Sequence, residues 1–329
     1  RSLDDMRAGA RIAPGEEKED PLDFALWKSA KPGEPFWNSP WGPGRPGWHI
    51  ECSAMSEREL PLPLDIHGGG QDLVFPHHEN EIAQTEAASG KPLARFWVHN
   101  GFVQVDAQKM SKSLGNFKTI RDILDHFLPE VLRFFLLGRH YHSPIDFSEE
   151  AMESAEKNLK RLYETLALLQ GECARPVPQG GAAPRDLLDE YQRLAAGWEK
   201  SMADDLNTAA ALGHCNGFAH LVNKILDDKA LRKNAGCREL LEGILGRVAV
   251  WNRVLGILGH NPGEFLDSLK ICRAKRRSVD LVLVETLLQK RLAARTAKDF
   301  PSADEMRLEL ANLGVEVRDT PDGSLWDIA

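Results

Sequence analysis

The 329-residue sequence holds no apolar run near the roughly 20 residues that a bilayer-spanning helix needs, and no secretory leader. A membrane role is not expected, and a cytoplasmic location is. Cysteine is scarce. Cys52, Cys173, Cys215, Cys237 and Cys272 are scattered and odd in number, so they build no disulfide framework and suit a reducing compartment. Basic charge is not in excess: 41 Lys and Arg face 49 Asp and Glu, a formal net charge of −8. A protein that binds nucleic acid by bulk electrostatics alone is thereby excluded, and any RNA contact must use local patches. Repeats and low-complexity tracts are absent. The first residue is Arg1, not Met, and the pattern opens midway, so an N-terminal region is expected to be missing.

What is present suggests two or three domains. Pro40–Gly47 is dominated by Pro and Gly and reads as a turn-rich loop. Trp48–Met55 opens a helix. Leu64–His67 reads as a short strand ending at Gly68-Gly69-Gly70. Pro76 fits the first turn of a helix running through Ala87. Phe96–Val105 alternates as a strand. Strand, glycine-rich turn, helix and strand form the grammar of an α/β nucleotide-binding sheet.

Beyond about residue 120 the pattern turns helical. Ser148 caps a helix whose face carries Met152, Ala155, Leu159, Leu162, Leu166 and Leu169. Residues 171–185 read as a flexible linker. Two or three amphipathic helices follow over 186–259. The tail holds a helix with Val284, Leu287, Leu288 and Leu292 on one face, a second with Ala303, Met306 and Leu310, and a strand at Val315–Arg318. Between Lys270 and Lys298 lie nine basic residues (Lys270, Arg273, Lys275, Arg276, Arg277, Lys290, Arg291, Arg295, Lys298) opposed by Asp280 and Glu285 alone. This is either a local RNA patch or a solvated helix face.

Three groups of residues carry chemistry. Gln108–Asn116 reads QKMSKSLGN, and its Lys109–Ser113 core gathers ammonium, hydroxyl and backbone N–H donors of the kind that collect around a polyphosphate; the alternative is a solvated basic turn. His77 and Glu81 are four apart on an expected helix and share a face with each other. Joined by Cys52 they offer the sulfur, nitrogen and oxygen donors that suit Zn²⁺, although spacing alone also allows a surface hydrogen bond and a core cysteine. Gly68-Gly69-Gly70 followed by Asp72 allows close approach of a ligand to the backbone, or a plain tight turn. Trp48 stacks on a ligand or fills the core.

These motifs occur in order. Gly44–Met55 (GRPGWHIECSAM), Asp65–Gly70 (DIHGGG), Asp72-Leu73, Phe75–Gln84 (FPHHENEIAQ), Lys109–Ser113 (KMSKS), Ser148-Glu149-Glu150, Asp204–Thr208 (DDLNT) and Gln289–Leu292 with Lys298-Asp299 together resemble the cysteinyl-tRNA synthetases, a class I family, over essentially the whole chain. The resemblance implies an α/β plus all-α chain: the C-terminal half of a Rossmann-like catalytic domain over 1–120, a connecting stem-contact segment over 121–150, a helical tRNA-binding bundle over 151–270 and a small α+β anticodon module over 271–329.

It further implies ATP-dependent activation of L-cysteine to cysteinyl-adenylate and transfer to tRNA(Cys), by a monomer with Mg²⁺ on the ATP. By position, Lys112 and Lys109 correspond to the catalytic lysines on the ATP phosphates, and Gly69, Gly70, Met110, Ser111 and Ser113 to further ATP contacts. Trp48 and Asp72 correspond to the amino-acid site. Cys52, His77 and Glu81 correspond to three of four zinc ligands. Arg295, Asp304 and Asp319 correspond to anticodon readers. The fourth ligand, a cysteine near the family's first signature (His-x-Gly-His), has no counterpart here, and neither has that signature. These 329 residues alone are therefore expected to be inactive. A non-catalytic tRNA-binding fragment, or a cysteine:amino-sugar ligase of the same lineage, are the alternative readings. The helical region and basic tail argue against the sugar ligase.

Overall fold

The structure, a computed structural model, describes residue 20 and residues 22–105, 108–109, 119–320 and 323–328. Residues 1–103 with 141–145 form one unit, and residues 104–140 with 146–329 the other.

In the first unit the Pro/Gly-rich stretch closes as a small hairpin. Trp27–Ser29 (β1) pairs antiparallel with Gly44–Pro46 (β2). A side chain at Gly44 would meet Trp27 Nε1 at 2.3 Å, and one at Gly47 would meet the Ala25 carbonyl at 2.1 Å, so both positions demand glycine. Trp48–Glu59 (α1) follows directly. Leu64–Gly70 (β3) then pairs in parallel with Ala94–Asn100 (β4), joined through the helix Glu79–Ser89 (α2), a βαβ crossover.

Three local expectations are corrected here. The glycines after His67 are not a turn but the end of β3, in register with Val98–Asn100. A Cβ at Gly68 would meet the Val98 carbonyl at 2.7 Å, and one at Gly69 would meet Leu73 Cδ1 at 2.8 Å and the His78 ring at 3.1 Å. Their bareness serves close packing within the sheet. Pro76 opens helical backbone after a kink, but not α2 itself. Phe75 is extended (φ −141°, ψ 133°), a wide turn covers Val74–His78, and α2 starts only at Glu79. The expected strand Phe96–Val105 breaks at Gly101, where a Cβ would meet the Ser143 carbonyl at 2.5 Å. Its remainder is Val103–Val105 (β5).

Among the described residues of this unit, the buried apolar side chains are Leu64 and Leu93. The rest of its buried side chains are polar: Ser53, His77, His78, Asn80, Glu81, Gln84 and Thr85. Polar groups reach an interior when they satisfy one another or serve a site.

The second unit is mostly helical. Gln104 and Val105 pair with Gln108–Lys109 (β6), so Lys109 ends a strand rather than sitting in a loop. Met110, Ser111, Lys112 and Ser113 lie outside the described residues. Ile120–Leu124 (α3) carries a full capping box from Thr119 and Asp122. Pro129–Leu137 (α4) and the short strand Ile145–Phe147 (β7) lead to the long helix Glu149–Cys173 (α5). Ser148 Oγ accepts from Ala151 N at 3.1 Å, and the six face residues read from the sequence are all buried. Arg185–Ala203 (α6), Thr208–Asp227 (α7), Lys229–Arg232 (α8) and Ala235–Leu255 (α9) complete the bundle, with Phe218, Leu221, Ile225, Leu241 and Ile244 in its core.

The stretch 171–185 is no flexible linker. Gly180 and Gly181 carbonyls accept from Ala235 N and Gly236 N, and Ala182 O accepts from Asn234 Nδ2. These carbonyls occupy donors at the start of α9 that no intrahelical partner reaches. Upstream, the buried Arg238 donates to the carbonyls of Glu172, Cys173 and Arg175, capping the end of α5.

Pro262–Arg276 (α10) crosses the expected 270/271 boundary without a break. Beyond it come Leu281–Thr296 (α11), Phe300–Asn312 (α12) and the hairpin Val315–Thr320 (β8) with Gly323–Ile328 (β9). Ala274, Val284, Leu287, Leu310, Val315, Val317 and Ile328 form a core of their own.

Candidate metal centre

Cys52 lies on α1, whose N-cap is Gly47, directly after β2. His77 lies in the wide turn and Glu81 in the first turn of α2; both keep helical backbone from His77 onward, so the four-residue spacing still works. Ligand atoms of Cys52, His77 and Glu81 all lie within 4.8 Å of one another. His77 Nε2 is 3.5 Å from Glu81 Oε1.

Glu81 is 1% exposed. Its Oε2 accepts from His67 Nε2 at 2.9 Å, while no hydrogen bond of good geometry reaches Oε1. The Cys52 thiol also acts on this carboxylate as a hydrogen-bond partner, but a buried carboxylate oxygen without a well-aligned donor is costly unless something else neutralises it. The lone pairs of Oε1, a thiol and an imidazole nitrogen are the donor set of a small divalent cation, so the residues present fit a metal.

Electrostatics agree with that reading. Burial, with the neighbouring imidazoles His49 and His67, pulls His77 down to about 4, so it is neutral near pH 7 and has a lone pair to give. Burial likewise takes His78 to about 4. Burial raises the Glu81 carboxyl, against the opposing pull of His67. Burial, then the charge of Glu81, raises the Cys52 thiol. A cation would reverse both tendencies by favouring the charged forms.

Trp48 is half exposed and stacks on His77, ring centroids 4.1 Å apart and 22° from parallel. It therefore neither fills the core nor lies far from the ligand set. Gly69, Gly70 and Asp72 lie at the carboxyl end of β3. The space left by the missing side chain at Gly70 is taken by Asp72 Oδ1. Missed in the sequence were His67, His49, His78 and His99. His49 Nδ1 is 2.7 Å from His77 Nδ1, and His78 Nδ1 is 2.7 Å from His99 Nε2. The alternation of β4, which places Trp97 and His99 on one face, was the available signal.

In the second unit, the buried Arg291 grips Asp319 with two bonds of 2.8 Å, and Arg295 joins the same carboxylate. These guanidiniums hold the Asp319 carboxyl far below the usual range. Asp304 acts on Arg291 through its charge. Arg295, Asp304 and Asp319 are thus brought toward one guanidinium, Arg291, whose part spacing did not reveal. The basic stretch is not an open patch throughout. Arg273 and Arg276 both bind the buried Glu156, and Lys270 lies 4.3 Å over the Trp326 ring.

Comparison with known proteins places these features. Residues 1–157 match the family described as tRNA synthetases class I (C) catalytic domain, residues 197–259 the DALR domain, and residues 283–326 the cysteinyl-tRNA ligase anticodon binding domain. A cysteine–tRNA ligase of Nitratidesulfovibrio vulgaris (strain DP4) is 63% identical over 328 residues, covering 100% of this chain and 68% of its own length. That of Oleidesulfovibrio alaskensis is 63% identical over 329 residues with the same coverage, and that of Lawsonia intracellularis is 54% identical over 328.

Proposed function

Because the chain belongs to the cysteine–tRNA ligase family, we propose that Cys52, His77 and Glu81 hold Zn²⁺ in a site that selects L-cysteine for activation by ATP and transfer to tRNA(Cys). The convergence of these three donors around a carboxylate oxygen without a well-aligned donor carries the reading. When bound, zinc supplies a soft Lewis-acid position for the substrate thiolate, one that the harder hydroxyl of serine fills poorly. A packing contact differing by one atom would discriminate by only about 1–3 kcal/mol.

Within that reaction these residues have the following parts. Trp48, stacked on His77, covers the substrate side chain. Asp72 holds its ammonium group. Gly69 and Gly70 border the adenosine at the carboxyl end of β3, the end at which open parallel sheets receive nucleotides. The cysteine carboxylate attacks the α-phosphorus, an O–P bond forms, the bond to the bridging oxygen breaks and pyrophosphate leaves. No general base is needed. Lys112 and Lys109, with Mg²⁺ on the ATP, neutralise the leaving phosphates. A ribose hydroxyl at the tRNA end then takes the acyl group and AMP departs. Arg295, Asp304 and Asp319 read the anticodon, with residues 271–329 as the module that presents them, 151–270 as the tRNA-binding bundle, 121–150 as the stem contact and 1–120 as the catalytic part. The protein acts as a cytoplasmic monomer.

Metal analysis after dialysis against zinc tests the centre. The chain retains one equivalent, and Cys52→Ser and Glu81→Ala lose it. In the cobalt-substituted chain, L-cysteine alters the sulfur-to-cobalt absorption and L-serine does not. Equal responses to the two amino acids would remove the selection argument.

A further inference from the structure

We propose that Asp327 is a positioning residue for RNA recognition: clasped to Lys160 and Arg273, it fixes the angle at which residues 271–329 present their anticodon readers to an RNA that lies on the helical bundle. The inference rests on the tRNA reading above and goes beyond the residues that touch the RNA.

The C-terminal module has an apolar core of its own, from Ala274 and Val284 to Val317 and Ile328, and α5 lends no side chain to it. The hairpin meets α5 through charge instead. Lys160 on α5 donates through Nζ to Asp327 Oδ2 on β9. Arg273 on α10 reaches the same oxygen with Nη1 at 3.4 Å and the Ile328 carbonyl at 3.5 Å. Arg273 is itself anchored through Nε to the buried Glu156 of α5. Beside the clasp, the Lys270 ammonium covers the Trp326 ring. The Lys160 and Arg273 side chains are only 23% and 12% exposed, and charge pairs withdrawn from water in this way are weakly screened.

What the clasp holds is a lever. Asp327 stands opposite Glu316 and Asp319 opposite Ser324, in an unbroken antiparallel register. Three residues along a strand cover about 10 Å. A small rotation at Asp327 is therefore enlarged at Asp319, whose carboxylate is gripped by Arg291 and Arg295 from α11. The shared core makes α11, α12 and the hairpin turn as one piece. A ligand that touches two surfaces gains from their fixed separation and angle, and loses that gain as the geometry loosens. An isolated anticodon stem-loop touches one surface and has no such gain to lose.

A rival use of the clasp is plain stability. Lys160, Asp327 and Arg273 lie outside the module's core, which favours orientation over folding as their task.

Fluorescence anisotropy on the 329-residue chain separates the two, with a tRNA(Cys) transcript and its isolated anticodon stem-loop as the labelled RNAs. Asp327→Asn keeps the shape and removes the charge. It binds the tRNA about 10-fold more weakly and the stem-loop with an unchanged Kd. Asp327→Glu restores the charge and most of the tRNA affinity. Lys160→Met weakens tRNA binding in the same selective way, and combining it with Asp327→Asn adds less than the sum of the two losses, the mark of a shared interaction. If Asp327→Asn does not fold, Lys160→Met, which alters α5 and not the module, is read in its place. Equal losses for tRNA and stem-loop would make the clasp merely structural and overturn the inference, and so would an unchanged affinity for the tRNA. A parent chain that fails to bind the stem-loop, or that binds tRNA(Cys) no better than a tRNA of another anticodon, would fell the anticodon reading itself and this inference with it.

Discussion

Replacing Glu156 by alanine is a severe test of how the C-terminal half of the chain is held. This carboxylate is 1% exposed. It accepts from Arg273 Nε at 2.5 Å and from Arg276 at 2.9 and 3.1 Å, and the two guanidiniums are themselves largely enclosed, with side-chain exposures of 12% and 7%. Removing one partner of a buried ion pair costs about 3–5 kcal/mol, because the other charge is left without compensation. Arg273 keeps Asp327 at 3.4 Å, and Arg276 keeps the His126 carbonyl and the face of Phe127, so the lower end of that range applies. A loss of about 3 kcal/mol lowers the unfolding midpoint of a unit this size by about 6–12 °C. Calorimetry measures the shift. It should also persist between about 0.05 and 0.5 M salt, because buried pairs are weakly screened. Exchanging the acid and both arginines for leucine and methionines should restore most of the stability. A midpoint lowered by less than about 2 °C, or a loss that vanishes in high salt, would mean that Arg273 and Arg276 are surface cations after all.

Glu130 should give a characteristic pH dependence. Burial raises its carboxyl above 4.5, although Leu258 N and Tyr163 OH both donate to it. A raised carboxyl stabilises the fold when protonated, so its contribution is complete below about pH 4.5 and fades as pH rises through the folded value. Relative to Glu130→Gln, the parent should therefore lose stability from about pH 4.5 toward neutrality in urea titrations, and an opposite slope would contradict the burial argument. Ser148→Ala removes the cap of α5 and should cost about 0.5–2 kcal/mol in the same assay, with Ser148→Asp close to neutral.

Local signals were legible and long-range ones were not. The buried face of α5 and its serine cap follow from spacing within a few turns, so Met152 through Leu169 could be read directly. The stripe of α11 was legible only in part: Val284 and Leu287 are buried while Leu292 is half exposed, because the tail covers one side of that helix alone. The metal trio joined a local pair to a distant cysteine, and the family pattern rather than spacing connected them. The bonds from His67 to Glu81 and from Arg273 to Glu156 span 14 and 117 residues and leave no periodic trace. Gly68–Gly70 misled for a different reason. Consecutive glycines usually mark a bend, but here each missing side chain makes room for a neighbour, a demand that composition does not reveal.

The segment after α5 has a practical side. From Pro176 to Gln179 it crosses between two anchorages, the carbonyls gripped by Arg238 and the peptide groups of Gly180 to Ala182 tied to the head of α9. A fluorescent tag or a protease recognition sequence spliced at Val177, whose side chain is 59% exposed, would leave both knots tied. The same graft three or four positions later would undo one of them and fray the helix it holds.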